Sequence, residues 1–587
     1  STVFQEVYMN NRLDRLREKM RENGIDVYYF NTSDYHCSEY VAEYFKTIRY
    51  FSGFTGSMAS LLVSEYDAHI FVDGRYHIQA ERECIPNDVE VVKLGSKGAL
   101  SVKEYIEKYY SDKVIGLDGK RASISFVSGL NNKIVSKDIY SEIIEDRAEL
   151  SKSMLFKLND EYTGKTRKEK LNELKYIIGN RTHVINNLES IAYLLNLRGD
   201  DILHTPVFYS YMVIDKGDVY LFVDKERLSP EIFDELYADE VIIRDYDSYY
   251  EFLGKLKNRT VILDENKVNY ESKLCLKKNE IVNTSSPVDL MKAIKNDTEI
   301  KNTRLAHIYD GVCMVRFIKW LKESDKTKLT EKDAADYLDN LRRSYKAFDL
   351  SFTSIVAYNE NAASMHYAPS REKEVQLDNS GILLVDSGGQ YYEGTTDITR
   401  TIALGPVSDI LRKHFTIVLK SMLNLQSATF IKGMAASMLD ILARKDIWAL
   451  GIDYRCGTGH GVGHVLSVHE NPPNIRYMAT DTKTEQQPLR PGMIVSDEPG
   501  IYLEGEYGLR CENLLLVKEY ISNSWGDFYC FEPITMCPFD LELIDTEYLD
   551  SKTIEILNNY HAQVYETLSP YLEEDEREFL RKQTESL

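Results

Sequence analysis

The 587-residue chain has no uninterrupted apolar run near the ~18 residues a membrane-spanning helix needs, which excludes an anchor of such helices. It has no basic surplus either: 71 Lys and Arg stand against 93 Asp and Glu, a formal charge of −22. Nucleic-acid backbones are held by neutralising phosphates, so this is a poor surface for them. Acidity supports solubility and, among partners, favours cationic peptides. Cysteine is sparse, eight in all, with no pair spaced C-x-x-C. That removes zinc-knuckle and thioredoxin-like readings and points to reduced thiols in a cytoplasmic compartment. The N-terminus lacks the apolar core of a secretory signal. The chain opens at Ser1 rather than Met, from excision of an initiator or from a missing leader, and a leader would put another compartment in play.

What is present is ordinary globular chemistry, 43% hydrophobic and 28% charged, in a chain long enough for about three or four domains. An amphipathic helical pattern over residues 13–20 precedes a strand-like 25–30, then apolar 61–63 and 69–73. The same order returns later, with a helix around Leu171, Leu174 and Ile177 and a strand over 220–224. Both strands end in Phe-Val-Asp, which suggests two related α/β domains. Polar residues 157–165 and 283–287 are the expected linkers. They divide the chain into domains at 1–157, 158–289 and 290–587. A long helix is expected from Asp297, with Asp297 as N-cap and Leu305, Ile308, Val312 and Val315 forming one stripe. Helices follow around residues 411–423 and 438–450.

The chemistry concentrates in the third domain. Asp386 ends an apolar run and Asp397 opens the next, so adjacent strands would bring two carboxylates together, and these repel unless something positive lies between them. The string Gly457-Thr-Gly-His460-Gly-Val-Gly-His464-Val-Leu-Ser-Val-His469 sets three histidines among glycines that allow close backbone approach. Glu498 closes an apolar strand, and Glu512 sits among leucines, where a carboxylate is costly unless paired or metal-bound. Taken singly, each has an ordinary reading: a strand end, a turn, a hydrogen-bonded histidine, an ion pair of Glu512 with Arg510. His464 and His414 keep that reading. Taken together, Asp386, Asp397, His460, Glu498 and Glu512 carry four negative charges and one imidazole. Two divalent cations would neutralise the set, and hard oxygen donors with one nitrogen suit Mn²⁺ or Co²⁺.

These strings, with VHENP, DEPG and RCENLLLV, resemble the "pita-bread" metallopeptidases: methionine aminopeptidase, prolidase, creatinase and aminopeptidase P. SGFTGS, DGRYHIQA, LNLRGDD, HTPVFYSY, HYAP and FEPIT resemble the long, three-domain aminopeptidase P branch, over nearly the whole chain. The resemblance implies an α/β protein in which two creatinase-like N-terminal domains precede a catalytic domain with a curved, mainly antiparallel sheet. A C-terminal module would occupy about 530–587. It implies a homodimer and an X-Pro aminopeptidase, in which a hydroxide bridging two ions, most often Mn²⁺, attacks the bond before proline. By the same resemblance Asp386, Asp397, His460, Glu498 and Glu512 are metal ligands, and Glu498 is also a proton shuttle. His366 and His469 would be catalytic and touch substrate; Tyr502 and Arg510 would line the proline pocket; Arg75 would reach the peptide. Related enzymes usually carry histidine where this chain has Cys456. That puts the wall of the proline pocket in doubt, not metal binding. A prolidase-like dipeptidase, a creatinase-like hydrolase and a scaffold without activity are the competing readings.

Overall fold

The computed structural model describes residues 2–364, 367–478 and 486–587. The chain divides into two compact units, Ser1–Lys157 with Arg167–Val288, and Leu158–Thr166 with Asp289–Leu587.

The first unit holds two six-stranded sheets. One contains β1 (Val27–Asn31), β2 (Ser60–Ser64), β3 (Ala68–Val72), β4 (Glu90–Lys93), β5 (Ile115–Leu117) and β6 (Ile134–Ser136), in the order β4-β3-β2-β1-β5-β6. The other contains β7 (Thr182–Ile185), β8 (Tyr211–Asp215), β9 (Asp218–Phe222), β10 (Val241–Arg244), β11 (Thr260–Leu263) and β12 (Glu280–Asn283), in the order β10-β9-β8-β7-β11-β12. The pairings match strand for strand: two antiparallel contacts at the centre, parallel ones outside. The two Phe-Val-Asp strings close β3 and β9, which hold the same place in their sheets. The repeated tripeptide therefore marks a repeated architecture. Leu13, Leu16 and Met20, one apolar stripe of the helix Thr2–Glu22, are buried in the first core with Tyr28, Phe30 and Phe51.

The second unit begins its long helix, α1 (Asp297–Glu323), one residue earlier than expected. Asn296, not Asp297, is the N-cap. Its extended backbone lets its side chain accept from the Glu299 N–H at 2.9 Å, while Glu299 accepts from the Asn296 N–H at 3.1 Å. This reciprocal box leaves Asp297 inside the first turn. Strands β13 (Ile355–Tyr358), β14 (Ile382–Ser387) and β15 (Ile398–Ala403) form one antiparallel sheet. A six-stranded sheet follows from β16 (Thr429–Ile431), β17 (Gly459–Gly461), β18 (Glu470–Ile475), β19 (Ile494–Asp497), β22 (Asn513–Asn523) and β23 (Gly526–Pro533). Its order is β16-β23-β22-β19-β17-β18, and a hairpin of β20 (Gly500–Leu503) and β21 (Tyr507–Arg510) lies between β19 and β22 in the chain. Every strand pair of this unit among the described residues is antiparallel. An isolated bridge between Thr399 and Glu512 joins the two sheets. Val312 and Val315 of α1 pack with Phe415, Val418 and Met422 of α2 (Asp409–Gln426) and with Leu557, Val564 and Leu568 of α4 (Ser551–Leu568). A shorter helix, α3 (Asp440–Trp448), lies on the way to β17.

Each unit buries a histidine as a neutral base. The His36 Nδ1–H donates to the Asn186 carbonyl at 2.8 Å, and His561 Nε2 accepts from the Phe539 N–H at 3.0 Å. Burial pushes both down to about 3. In the unfolded chain each titrates near 6.5, so the unfolded state takes up protons first and stability falls as pH drops from about 6.5 toward 3. Each histidine contributes a slope of up to about 1.4 kcal/mol per pH unit. Urea midpoints between pH 7 and 5 should fall accordingly, and His561→Gln should flatten the dependence of the transition that reports on the second unit. An unchanged slope in that variant would remove His561 from the account.

Candidate metal centre

Asp386 lies in β14 and faces Thr399 of β15 in the antiparallel register, so the neighbouring strand brings Asp397 back toward it. Glu498 follows β19, and its N–H donates to the Thr458 carbonyl at 2.8 Å. Glu512 enters β22 with its N–H on the Thr399 carbonyl at 3.2 Å and a carboxylate oxygen accepting from the Thr399 hydroxyl at 2.9 Å. His460 sits in β17. Gly459, just before it, lets β17 approach β19: a Cβ there would stand 1.9 Å from the Ser496 carbonyl oxygen. Any other residue would push His460 away from Glu498.

The result is one cluster. A ligand atom from each of Asp397, His460, Glu498 and Glu512 lies within 4.8 Å of every other. His460 Nε2 is 3.3 Å from Asp397 Oδ2 and 3.2 Å from Glu498 Oε2. Its Nδ1 lies 2.7 Å from the Gly461 carbonyl, which can only accept; this orients the ring and leaves Nε2 for the cluster. Asp386 stands beside these four, held by Arg510 Nη2 at 2.7 Å. Arg510 therefore pairs with Asp386, not with Glu512. It also donates to the Tyr502 hydroxyl at 2.9 Å and to Thr399 Oγ1 at 3.2 Å. The ring of His469 meets that of His460 edge-on, centroids 4.5 Å apart. His366 lies outside the described residues. Arg75 belongs to the first unit, where Asp73 holds its guanidinium at 2.8 and 2.7 Å. His464 and His414 are hydrogen-bonded elsewhere, to the Tyr162 carbonyl and the Tyr507 hydroxyl.

Burial pushes Asp386 up to about 7 against the pull of Arg510, and raises Glu512 well above the carboxylate range, with Asp397 and Glu498 adding to it. Burial would raise Glu498 too, but His460, Glu512 and Arg510 hold it low. Burial opposes a charged His460, yet Asp397 and Glu498 raise it well above its ordinary value. Burial first, and the crowding of negative charge second, thus favour protons on Asp386 and Glu512 wherever no cation is present. Asp386 Oδ1 and Glu512 Oε2 are buried with no hydrogen-bond partner. Convergent, unsatisfied carboxylate oxygens with one imidazole nitrogen fit divalent cations.

Three residues outside the motif reading shape the site. Thr399 holds both Glu512 and Arg510. Arg400, 1% exposed, donates to the Glu512 carbonyl at 2.7 Å and to the carbonyls of Cys537 and Pro538, tying the C-terminal segment to β22. An arginine inside an apolar strand was the available signal. Asp497 is fully buried, neither carboxylate oxygen has a partner, and burial with Glu498 beside it raises its pKa well above the usual range. Asp497 opens the DEPG string, but nothing in that string marks it as buried without a partner.

Comparison with known proteins matches residues 301–519 to metallopeptidase family M24 and 527–587 to the C-terminal region of M24 peptidases. Residues 12–147 and 146–299 each match the creatinase/prolidase N-terminal domain. A probable Xaa-Pro aminopeptidase P of Aspergillus flavus is 33% identical over all of this chain and 94% of its own length. One from Talaromyces marneffei is 34% identical with the same coverage. The crystal structure of an X-prolyl aminopeptidase from Caenorhabditis elegans, described as cytosolic with a di-nuclear active site, superposes with a TM-score of 0.92. That protein is 29% identical, over 99% of this chain and 100% of its own.

Because the bare cluster holds protons, a cation entering it should expel them. Titrating metal-free protein with Mn²⁺ at pH 7 in buffers of different ionisation enthalpy should give heats that scale with the buffer, with at least about one proton released per site. Buffer-independent heats would mean the carboxylates were already ionised.

Proposed function

The chain belongs to metallopeptidase family M24, and from that premise we propose that it removes the first residue of peptides whose second residue is proline. The observation that carries this reading is the convergence of Asp397, His460, Glu498 and Glu512 around buried carboxylate oxygens without partners. Curated relatives over the full length carry the proline-directed name. The centre would hold two divalent ions per subunit, Mn²⁺ by the hardness of its donors, on Asp386, Asp397, His460, Glu498 and Glu512. Bound there, the ions would supply Lewis acidity, lowering the pKa of a water and offsetting charge on the scissile carbonyl.

The residues divide the remaining work. Glu498, held ionised by its neighbours, is placed to take a proton from the attacking water and deliver it to the proline nitrogen of the leaving group. That nitrogen is a tertiary amide with no N–H, so recognition rests on the ring. Tyr502, fixed through its hydroxyl by Arg510, gives an aromatic wall for it. His469, against His460, is assigned to the carbonyl oxygen. His366 is given a parallel role, and Arg75 the distal peptide, on sequence grounds. The cytoplasm is the proposed compartment: all eight cysteines are free thiols, and the nematode relative is described as cytosolic.

A homodimer is part of the same reading. Met438, Ile441, Trp448, Tyr477 and Met478 are exposed on the second unit, with Trp448 and Tyr477 edge-on at 5.5 Å. Exposed apolar side chains on the turn before α3, on α3 and just after β18 are of the kind that mark association, and Trp448 with Tyr477 joins two of these elements. Trp448→Glu should convert the sedimentation profile to monomer without loss of bound metal; a dimer that persists would move the interface elsewhere.

The activity is tested with metal-stripped protein and an Arg-Pro-Pro tripeptide. Mn²⁺ should restore release of free arginine, and Asp397→Ala should lower kcat/KM on the order of 10³-fold or more. Hydrolysis of X-Pro dipeptides alone would favour a dipeptidase. No turnover with metal bound would reject the proposal.

A further inference from the structure

The segment that delivers His460 carries Gly457 and, at the start of β17, Gly459, so no side chains at these two positions help to hold its shape. Order must come from outside the loop. Arg444 of α3 is 1% exposed and spends its guanidinium on that task. Nε donates to Asp440 Oδ1 at 2.9 Å, and Nη1 donates to Asp453 Oδ1 at 2.9 Å and to the Tyr454 carbonyl at 2.7 Å. Nη2 donates to the Cys456 carbonyl at 2.6 Å. The rings of Tyr454 and Tyr477 flank the cation at 3.8 and 4.7 Å. Its first partner, Asp440, is fully buried; it also accepts from the Thr458 hydroxyl and, at 2.7 Å, from the Tyr477 N–H.

Thr458 links this network to the centre. Its side chain rests on Asp440 and within 2.6 Å of the Tyr454 hydroxyl. Its carbonyl accepts the N–H of Glu498, and the chain reaches His460 two residues on. Two elements of the centre, one on β17 and one after β19, therefore hang from the same buried ion pair. A buried pair is expensive to desolvate, and packed apolar residues would stabilise α3 as well or better. Its geometry repays that cost only by fixing loop carbonyls that apolar side chains cannot hold.

We propose that Arg444, with Asp440, is a positioning residue that sets His460 and Glu498 at the spacing a divalent cation requires. The inference rests on the metallopeptidase reading. Outer-shell partners of metal ligands are worth roughly 10–100-fold in metal affinity. Arg444→Lys keeps the charge but loses the fork that spans Asp440, Tyr454 and Cys456.

The test measures Mn²⁺ dissociation constants by calorimetry on metal-stripped wild type, Arg444→Lys and Thr458→Val, with circular dichroism and urea midpoints confirming each is folded. Thr458→Val removes only the hydroxyl between Asp440 and Tyr454, so it stands if Arg444→Lys does not fold. The expected result is Mn²⁺ affinity weakened at least about tenfold in a folded variant, with kcat reduced at saturating peptide and KM within twofold. A merely structural Arg444 would shift the urea midpoint and leave the folded protein's Mn²⁺ affinity within twofold of wild type, which would overturn the proposal. If wild type itself binds no Mn²⁺, the metal reading fails and takes this one with it, an outcome distinct from equal binding by all three.

Discussion

Four carboxylates sharing one buried pocket are the constraint around which the catalytic unit is arranged. At close range in a low-dielectric interior, Asp386, Asp397, Glu498 and Glu512 cannot all ionise without positive charge among them. Burial and this crowding raise the carboxyls of Asp386 and Glu512, and Asp397 and Glu498 draw His460 toward its cationic form. Protons held in this way are displaceable. A cluster that keeps its charge balanced by exchangeable protons is ready to trade them for cations. A cluster balanced by four permanent ion pairs would not be.

The scaffold serves that arrangement through contacts of very different reach. Asp386 and Asp397 come from strands adjacent in sequence and in the sheet, so their meeting needs only one antiparallel return. Glu512 is brought in from more than a hundred residues away by the bridge to Thr399 and by the Arg400 guanidinium on its carbonyl. His460 depends on a glycine that lets two strands nearly touch. The first unit reaches order differently. Its two sheets repeat one strand order with matching parallel and antiparallel pairs, and Ile124 from the first half joins the core packed on the second sheet.

Legibility in the sequence follows the same division. The repeat could be read because identical strand ends sit at similar spacing after similar helices. The candidate ligands could be read because carboxylates next to glycines or among leucines have no cheap alternative use. Asn296 is hidden because an Asn-Asp-Thr-Glu start offers two caps in a row, and only backbone geometry decides which one faces the open N–H groups. Sequence proximity offers Arg510 to Glu512, two residues away in the same segment, but the fold turns it to Asp386 across the sheet. Arg444, and the burial of Asp497 within the DEPG string, carry no signal in the sequence. Their importance comes from burial against Glu498 and from carbonyls of a separate loop, and neither leaves a mark in local spacing.

Arg510 alters the charge count in a way that composition alone does not suggest. Four carboxylates and two dications would make a neutral centre. The structure adds the Arg510 guanidinium, bound to Asp386 at 2.7 Å and sealed from water, as a permanent fifth charge. With two divalent ions bound, three net negative charges would face four positive ones, leaving the side chains and cations about one positive charge in excess. That excess is of little use to a neutral peptide in its ground state. It acts where negative charge develops on the carbonyl oxygen, which is where a preorganised electrostatic field accelerates hydrolysis. The same guanidinium fixes the Tyr502 hydroxyl, so one buried cation joins the wall proposed for the proline ring to the charge balance of the reacting centre. Replacing it with a neutral residue would remove both at once, and the surplus that favours the transition state would be lost even with both cations in place.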